Sequence, residues 1–224
     1  QDKLKKDFHK YSILMYPIKP KEKKDIVFCQ LSGGNYPILT TEQEVDYVEL
    51  ILNQMLDLSK DYFHDKEWLV MMRKSLIRDV KKRGYINAKL GKIKLVESIT
   101  PMKNIEIIGQ SVCFLTPPGL NSIYEGAYMK TPTFILPGKH ALQEDCYLKL
   151  VTAGYFAPNN IVRKMFSEKK RLSTEFEESS DLYKYYKMAL DNKKGLIEGI
   201  SYEKFMKPLQ DFFQNISNIH NEKS

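Results

Sequence analysis

The sequence predicts an α/β/α fold: a mainly parallel sheet covered by helices on both faces. Three observations support this. Short apolar runs alternate with helix-like segments along the chain. The runs are nearly continuous in apolar residues rather than alternating with polar ones, as strands buried on both faces must be. The loops that follow them carry glycine, proline or small polar residues, which mark turns into helices.

Residues 1–25 are rich in lysine, contain Pro17 and Pro20, and read as a linker or inter-domain segment. Residues 25–31, DIVFCQL, form a first strand, and the loop SGGNYPIL follows it. Thr41 and Glu44 have capping-box spacing, so a helix opens there. Val45, Val48, Leu52, Met55 and Leu56 give it an apolar stripe to about Lys60. EWLVMM, from Glu67, is a second strand, followed by a basic helix that stops at Gly84. KIKLVES is a third strand, PMKNIEIIG a short helix and SVCFLTP a fourth strand. Residues 121–129 make the next helix, TPTFILP the fifth strand, and residues 140–151 another helix. Residues 26–155 therefore read as one domain that binds its ligand at the strand ends. Residues 156–224 read as a helical extension packing on it. That extension closes with an amphipathic helix bearing Phe205, Leu209, Phe212, Phe213 and Ile216, which Pro208 should weaken or kink.

With 224 residues, the chain can bury a sizeable core without disulfides or metals. No apolar run has the length of a membrane span. Cys29, Cys113 and Cys146 are odd in number and far apart in sequence, and two lie in strand-like runs as buried, inert thiols. A reducing, cytoplasmic compartment is expected. His9, His64, His140 and His220 have no partners at ligand spacing, so no metal site is expected. Because the chain begins with Gln, excision from a longer protein is a further expectation.

The net charge of +7 is uneven. Arg73, Lys74, Arg78, Lys81, Lys82, Arg83, Lys89, Lys92 and Lys94 stand against the single acid Asp79. Such a patch could draw nucleic acid, an anionic membrane or phosphorylated substrates. The plainer alternative is a solvated helix face opposite Leu76, Ile77 and Val80.

In an open parallel sheet, ligands bind beyond the carboxyl ends of the strands. Three loops lie at such ends. In SGGN, Gly33 and Gly34 allow backbone amides to approach a phosphate, with Asn35 beside them, although a plain turn explains the pair equally well. The motif is not GxGxxG and no acid ends the second strand, which argues against a dinucleotide-dependent dehydrogenase. In TPPGLNSIYE, Gly119 allows a tight turn and Asn121 or Ser122 can cap a helix whose amides and dipole would hold a diphosphate. Glu125 lies about one turn further on. A carboxylate there repels phosphate but accepts hydrogen bonds from a ribose diol further along the same ligand. The alternative is an early-turn acid that favours the helix dipole. In LPGKHALQED, Gln143, Glu144 and Asp145 could bind sugar hydroxyls or merely form a solvated helix start.

Together, GLNSIYEGAYMKTPTFILP and LQEDCYLKLVTAGY resemble the carboxyl-terminal, donor-binding half of GT-B fold UDP-glycosyltransferases. The similarity is greatest to the glycosyltransferase family 28 type that includes the peptidoglycan N-acetylglucosaminyltransferase. Gly119, Ser122, Glu125, the turn at Pro132, Pro137 and Gln143 match that pattern in order, and IVFCQLSGGN resembles its opening strand and loop. Lys130 replaces the usual glycine of the G-x-P turn, and Leu142-Gln143 stands where that family has Asp-Gln or His-Gln. The resemblance implies a Rossmann-like half of a GT-B fold over residues 25–155. It implies that Gly33, Gly34 and Asn35 approach the diphosphate, and that Gly119, Asn121 and Ser122 bind phosphate. It further implies that Glu125 holds the ribose and Gln143 the sugar, while the loop from Glu97 to Met102, including Ser98 and Met102, holds the base.

The implied activity is inverting, metal-independent transfer of a hexose-type sugar from a UDP-sugar to an unknown acceptor. No other cofactor is implied. The acceptor site and usual base belong to an amino-terminal domain or partner subunit, so the catalytic residues stay unassigned. No nucleic-acid partner is implied, and peripheral contact with a membrane is compatible with the pattern. Two alternatives stand beside this one. A nucleotide-sugar epimerase would need an acid/base pair that Glu125 and Gln143 do not supply. A non-enzymatic basic module would bind RNA or anionic membrane with steep salt dependence.

Overall fold

The computed structural model of the chain describes residues 22, 24–31, 39–84, 91–154, 183, 186, 187 and 202–221. Five strands form one sheet: β1 (Ile26–Gln30), β2 (Glu67–Met72), β3 (Ile93–Glu97), β4 (Cys113–Thr116) and β5 (Thr133–Ile135). Their order is β3-β2-β1-β4-β5 and every neighbouring pair is parallel. The helices among the described residues are α1 (Thr41–Asp61), α2 (Lys74–Lys82), α3 (Pro101–Gln110), α4 (Leu120–Tyr128), α5 (Ala141–Thr152) and α6 (Tyr202–Asn221). This is a Rossmann-like α/β/α architecture, with the strand order of a doubly wound sheet.

The core follows from the two-residue period of the strands. Val27, Cys29, Trp68, Val70, Met72, Cys113 and Leu115 enter one apolar layer, beneath α1, α2 and α6. Their neighbours Phe28, Met71 and Phe114 enter a second layer with Ile105 and Ile108 of α3. Both faces are therefore covered, which is why the strand sequences are apolar throughout. Gly126 of α4 allows a close approach to the sheet, since a Cβ there would lie 2.4 Å from Thr133 Oγ1.

The start of α1 differs by one residue from the sequence expectation. Thr40, not Thr41, is the N-cap: its Oγ1 accepts from Gln43 N at 3.2 Å, and Gln43 Oε1 accepts from Thr40 N at 3.0 Å. Glu44 is instead buried and forms a two-pronged pair with Arg73, whose Nη1 donates to Glu44 Oε1 at 2.8 Å. Arg83 turns the same way, donating to Asp46 at 2.6 Å and Glu49 at 3.4 Å. Two arginines of the basic segment thus turn to acids of α1, while Lys74, Arg78, Lys81 and Lys82 stay exposed.

Helix α6 runs through Pro208. It packs on the first layer through Leu209, Phe213 and Ile216, with the Phe213 ring 5.2 Å from Trp68. Phe205 lies outside the described side chains, as do residues 1–21 of the linker reading and most of the segment between α5 and α6.

Candidate functional site

Strand order fixes where a site can form. The chain winds outward from β1 to β3, then crosses to β4 on the opposite side of β1, leaving a crevice beyond the carboxyl ends of β1 and β4. A cavity of about 570 Å³ occupies that crevice. Gln30 and Met71 reach it from the ends of β1 and β2, and Ser98, Ile99, Pro101 and Asn104 from the β3–α3 connection and α3. Pro118, Gly119, Leu120, Asn121, Ser122 and Glu125 line it from the β4–α4 turn and α4. His140, Leu142, Gln143 and Cys146 close it from the start of α5.

Six residues singled out from the sequence therefore come together: Ser98, Gly119, Asn121, Ser122, Glu125 and Gln143. Met102 does not line the cavity. It is 52% exposed on α3, and Ile99 and Pro101 occupy the wall instead. Because Pro101 begins α3 behind the Thr100 cap, Met102 already lies on the helix and turns outward. Gly33, Gly34 and Asn35 lie outside the described residues.

Local chemistry explains how the walls are held. The N-cap of α4 is Gly119, and neither Asn121 nor Ser122 serves as the cap; no side chain caps this helix. Its first amides and the positive end of its dipole therefore open onto the cavity. Helix α5 begins after His140, also without a side-chain cap. Gln143 turns its Oε1 back to accept from Lys139 N at 2.7 Å, and Glu144 accepts from Gly138 N. Tyr47 Oη donates to Pro137 O at 2.7 Å, and Tyr186 Oη donates to Gly138 O. The loop before α5 is thus braced from α1, from α5 itself and from Tyr186. Lys139, buried 5.7 Å from the Tyr47 ring centroid, has its ammonium pushed down to about 8 by burial, with Glu44 opposing the shift.

Glu125 lies inside the cavity wall. Burial raises its carboxyl from 4.5 to about 7, partly offset by the Asn104 amide, whose Nδ2 donates to Oε2 at 3.0 Å. The same Nδ2 donates to Gln30 Oε1 at 3.1 Å. Sequence reasoning missed Gln30, Asn104, His140 and Cys146. The signal for two of them was present: an amide ending an apolar strand, and an asparagine on the apolar side of a short helix. Among the described residues, no group of three or more His, Cys, Asp or Glu is placed to hold a metal ion. The Cys29 and Cys113 thiols are buried, and burial pushes Cys29 well above the ordinary thiol range.

No family model matches the chain and no curated protein matches it. Solved structures do. The chain is similar to glycosyltransferase structures. One is the kitacinnamycin glycosyltransferase, with 13% identity, 89% of this chain and 45% of that chain covered, and a TM-score of 0.39. A second is a Polygonum tinctorium UDP-glucosyltransferase capable of glucosylating indoxyl, in complex with 3,4-dichloroaniline. It has 15% identity, 93% and 44% coverage, and a TM-score of 0.39. A third is Phytolacca americana UGT2 complexed with UDP-2-fluoro-glucose and pterostilbene, with 16% identity, 95% and 39% coverage, and a TM-score of 0.35. The chain spans less than half the length of each.

Proposed function

We propose that this chain is the donor-binding half of a glycosyltransferase, taking a nucleotide sugar, UDP-linked, in the cavity at the β1–β4 switch point. One observation carries the reading: an uncapped helix N-terminus and a half-buried carboxylate open onto the same cavity from the same helix. Gly119 and Glu125 lie about 9 Å apart along the helix axis. A ligand spanning both must carry anionic charge at one end and hydrogen-bond donors at the other, as a nucleoside diphosphate does. A volume of about 570 Å³ suits a ligand of that size.

The roles follow from the chemistry of the walls. Amides of α4 at Asn121 and Ser122 hold the diphosphate and take up charge as the bond from the anomeric carbon to its oxygen breaks. Glu125 accepts hydrogen bonds from the ribose diol. Ser98 and the backbone beside it face the base. Gln143, with Oε1 occupied by Lys139 N, offers Nε2 to the sugar. Gly33, Gly34 and Asn35 belong to the same proposal as diphosphate contacts. No metal is assigned. The acceptor hydroxyl, and the base that takes its proton, belong to a second domain or a partner chain. That Arg73 and Arg83 are turned to the acids of α1 supports leaving nucleic acid out of the proposal. Among the described residues no helix is long and apolar enough to cross a membrane, and a peripheral, cytoplasmic placement stays part of the proposal.

Calorimetric titration with UDP beside GDP, ADP and NAD tests this. A saturable UDP preference, weakened by about 1–3 kcal/mol in Glu125→Ala, is the expected outcome. Preference for another nucleotide would sink the uridine assignment, and loss-free binding in the variant would remove Glu125 from the site.

A further inference from the structure

Three polar side chains of the cavity wall form one hydrogen-bonded chain. Gln30 ends β1, Asn104 sits on α3 and Glu125 on α4, and all three line the cavity. Asn104 is 5% exposed and joins the other two: its Nδ2 donates to Gln30 Oε1 at 3.1 Å and to Glu125 Oε2 at 3.0 Å. An amide nitrogen has two hydrogens, so both are spent. The ionised carboxylate sets which way the amide points, because the reversed orientation would set Oδ1 against Glu125 Oε2. Asn104 Oδ1 is buried and has no hydrogen-bond partner. Buried polar atoms of this kind are rare, and functional sites are one place where they are tolerated. The amide thus accepts an unsatisfied oxygen in order to hold Glu125.

We propose that Asn104 is the positioning residue of this site: anchored by Gln30, it occupies one oxygen of Glu125 and leaves the other oxygen for the hydroxyl donors of a ribose. The inference rests on the reading of the cavity as a nucleoside-diphosphate site. It adds to that reading a residue whose loss changes how binding depends on pH and on the ribose hydroxyls, rather than affinity alone.

The surroundings make Glu125 responsive to this one contact. Burial and the Asn104 hydrogen bond are the two influences on its proton, acting in opposite directions. Across the cavity, the titratable groups are His140 and Cys146 of the α5 start. On α3, Lys103 and Glu106 pair with each other at 3.6 Å. The ionised carboxylate, which accepts from two hydroxyls at once, is the form that recognises a diol; the protonated form has one oxygen turned into a donor.

The experiment is titration of the wild-type chain, Asn104→Leu, Gln30→Leu and Glu125→Gln with UDP and with 2′-deoxy-UDP from pH 5.5 to 8.5. For wild type, UDP affinity should fall as pH drops through about 7, and UDP should be preferred over its deoxy analogue. Glu125→Gln should lose that phase, so any pH dependence it keeps does not come from Glu125. In Asn104→Leu the midpoint should rise by about one pH unit, with affinity at pH 7 roughly tenfold weaker and the ribose preference lost. Gln30→Leu, which leaves the Glu125 contact in place, should shift the midpoint the same way by less.

Carbon-13 titration of the Glu125 carboxyl in the free protein reads the same midpoints without ligand and serves if one variant folds poorly. A purely structural role for Asn104 would weaken binding equally at every pH. That result, or a wild-type midpoint and ribose preference in both Asn104→Leu and Gln30→Leu, overturns the proposal while leaving the nucleotide site standing. Absence of saturable UDP binding by the wild-type chain at any pH overturns the site reading and this inference with it.

Discussion

Replacing Glu125 by glutamine should stabilise the free protein above neutral pH and change little near pH 4.5. In the folded chain, burial holds the carboxyl proton up to about 7, against an ordinary value of 4.5. Between those values the native state binds more protons than the unfolded state, so the free energy of unfolding falls as pH rises. A displacement of that size corresponds to at most about 3.4 kcal/mol, at 1.36 kcal/mol per pH unit. Because the group is partly open to the cavity and screened by solvent, about 1–2 kcal/mol is the expected effect. Glutamine keeps the shape and carries no charge, so the variant should lack this slope. Urea unfolding at pH 4.5, 6 and 8 measures it. The stability difference between variant and wild type should open from near zero to about 1–2 kcal/mol in favour of the variant, closing again when saturating UDP is added. A difference constant across that range would refute the argument that burial of Glu125 costs the free protein stability.

Three other outcomes follow from the packing and the cavity. Arg73→Ala leaves Glu44 buried without its guanidinium and should cost about 3 kcal/mol by urea unfolding; the Glu44→Leu, Arg73→Leu double variant should recover much of it. Gly126→Ala pushes a methyl to 2.4 Å from Thr133 Oγ1 and should cost about 1–3 kcal/mol, less in a Thr133→Ala background. Mass spectrometry after brief alkylation of the native chain should find Cys146, half-buried in the cavity wall, labelled before Cys29 and Cys113, and saturating UDP should slow that labelling.

The sequence determined the elements and the layers. Apolar runs placed all five strands, because strands buried on both faces leave no polar alternation to confuse the pattern. Helix periodicity placed α1 through α5, and the Phe213 stripe placed α6, because these signals are local and repeat within a few residues. The turn chemistry around Gly119 also located one wall of the cavity. One local ambiguity lay beyond it: Thr40 with Gln43 and Thr41 with Glu44 offer adjacent capping boxes. Only tertiary structure chose between them, since Glu44 is taken by Arg73, 29 residues away.

The same holds for the inner wall of the cavity. Gln30 meets Asn104 across 74 residues and Asn104 meets Glu125 across 21. Nothing in the pattern of either segment announces those contacts. They exist because β4 returns beside β1, which brings α3 and α4 together over the end of the first strand. The raised proton affinity of Glu125 has the same origin: a carboxylate's charge depends on what surrounds it in space, and strand order, set by long-range packing, decides what that is.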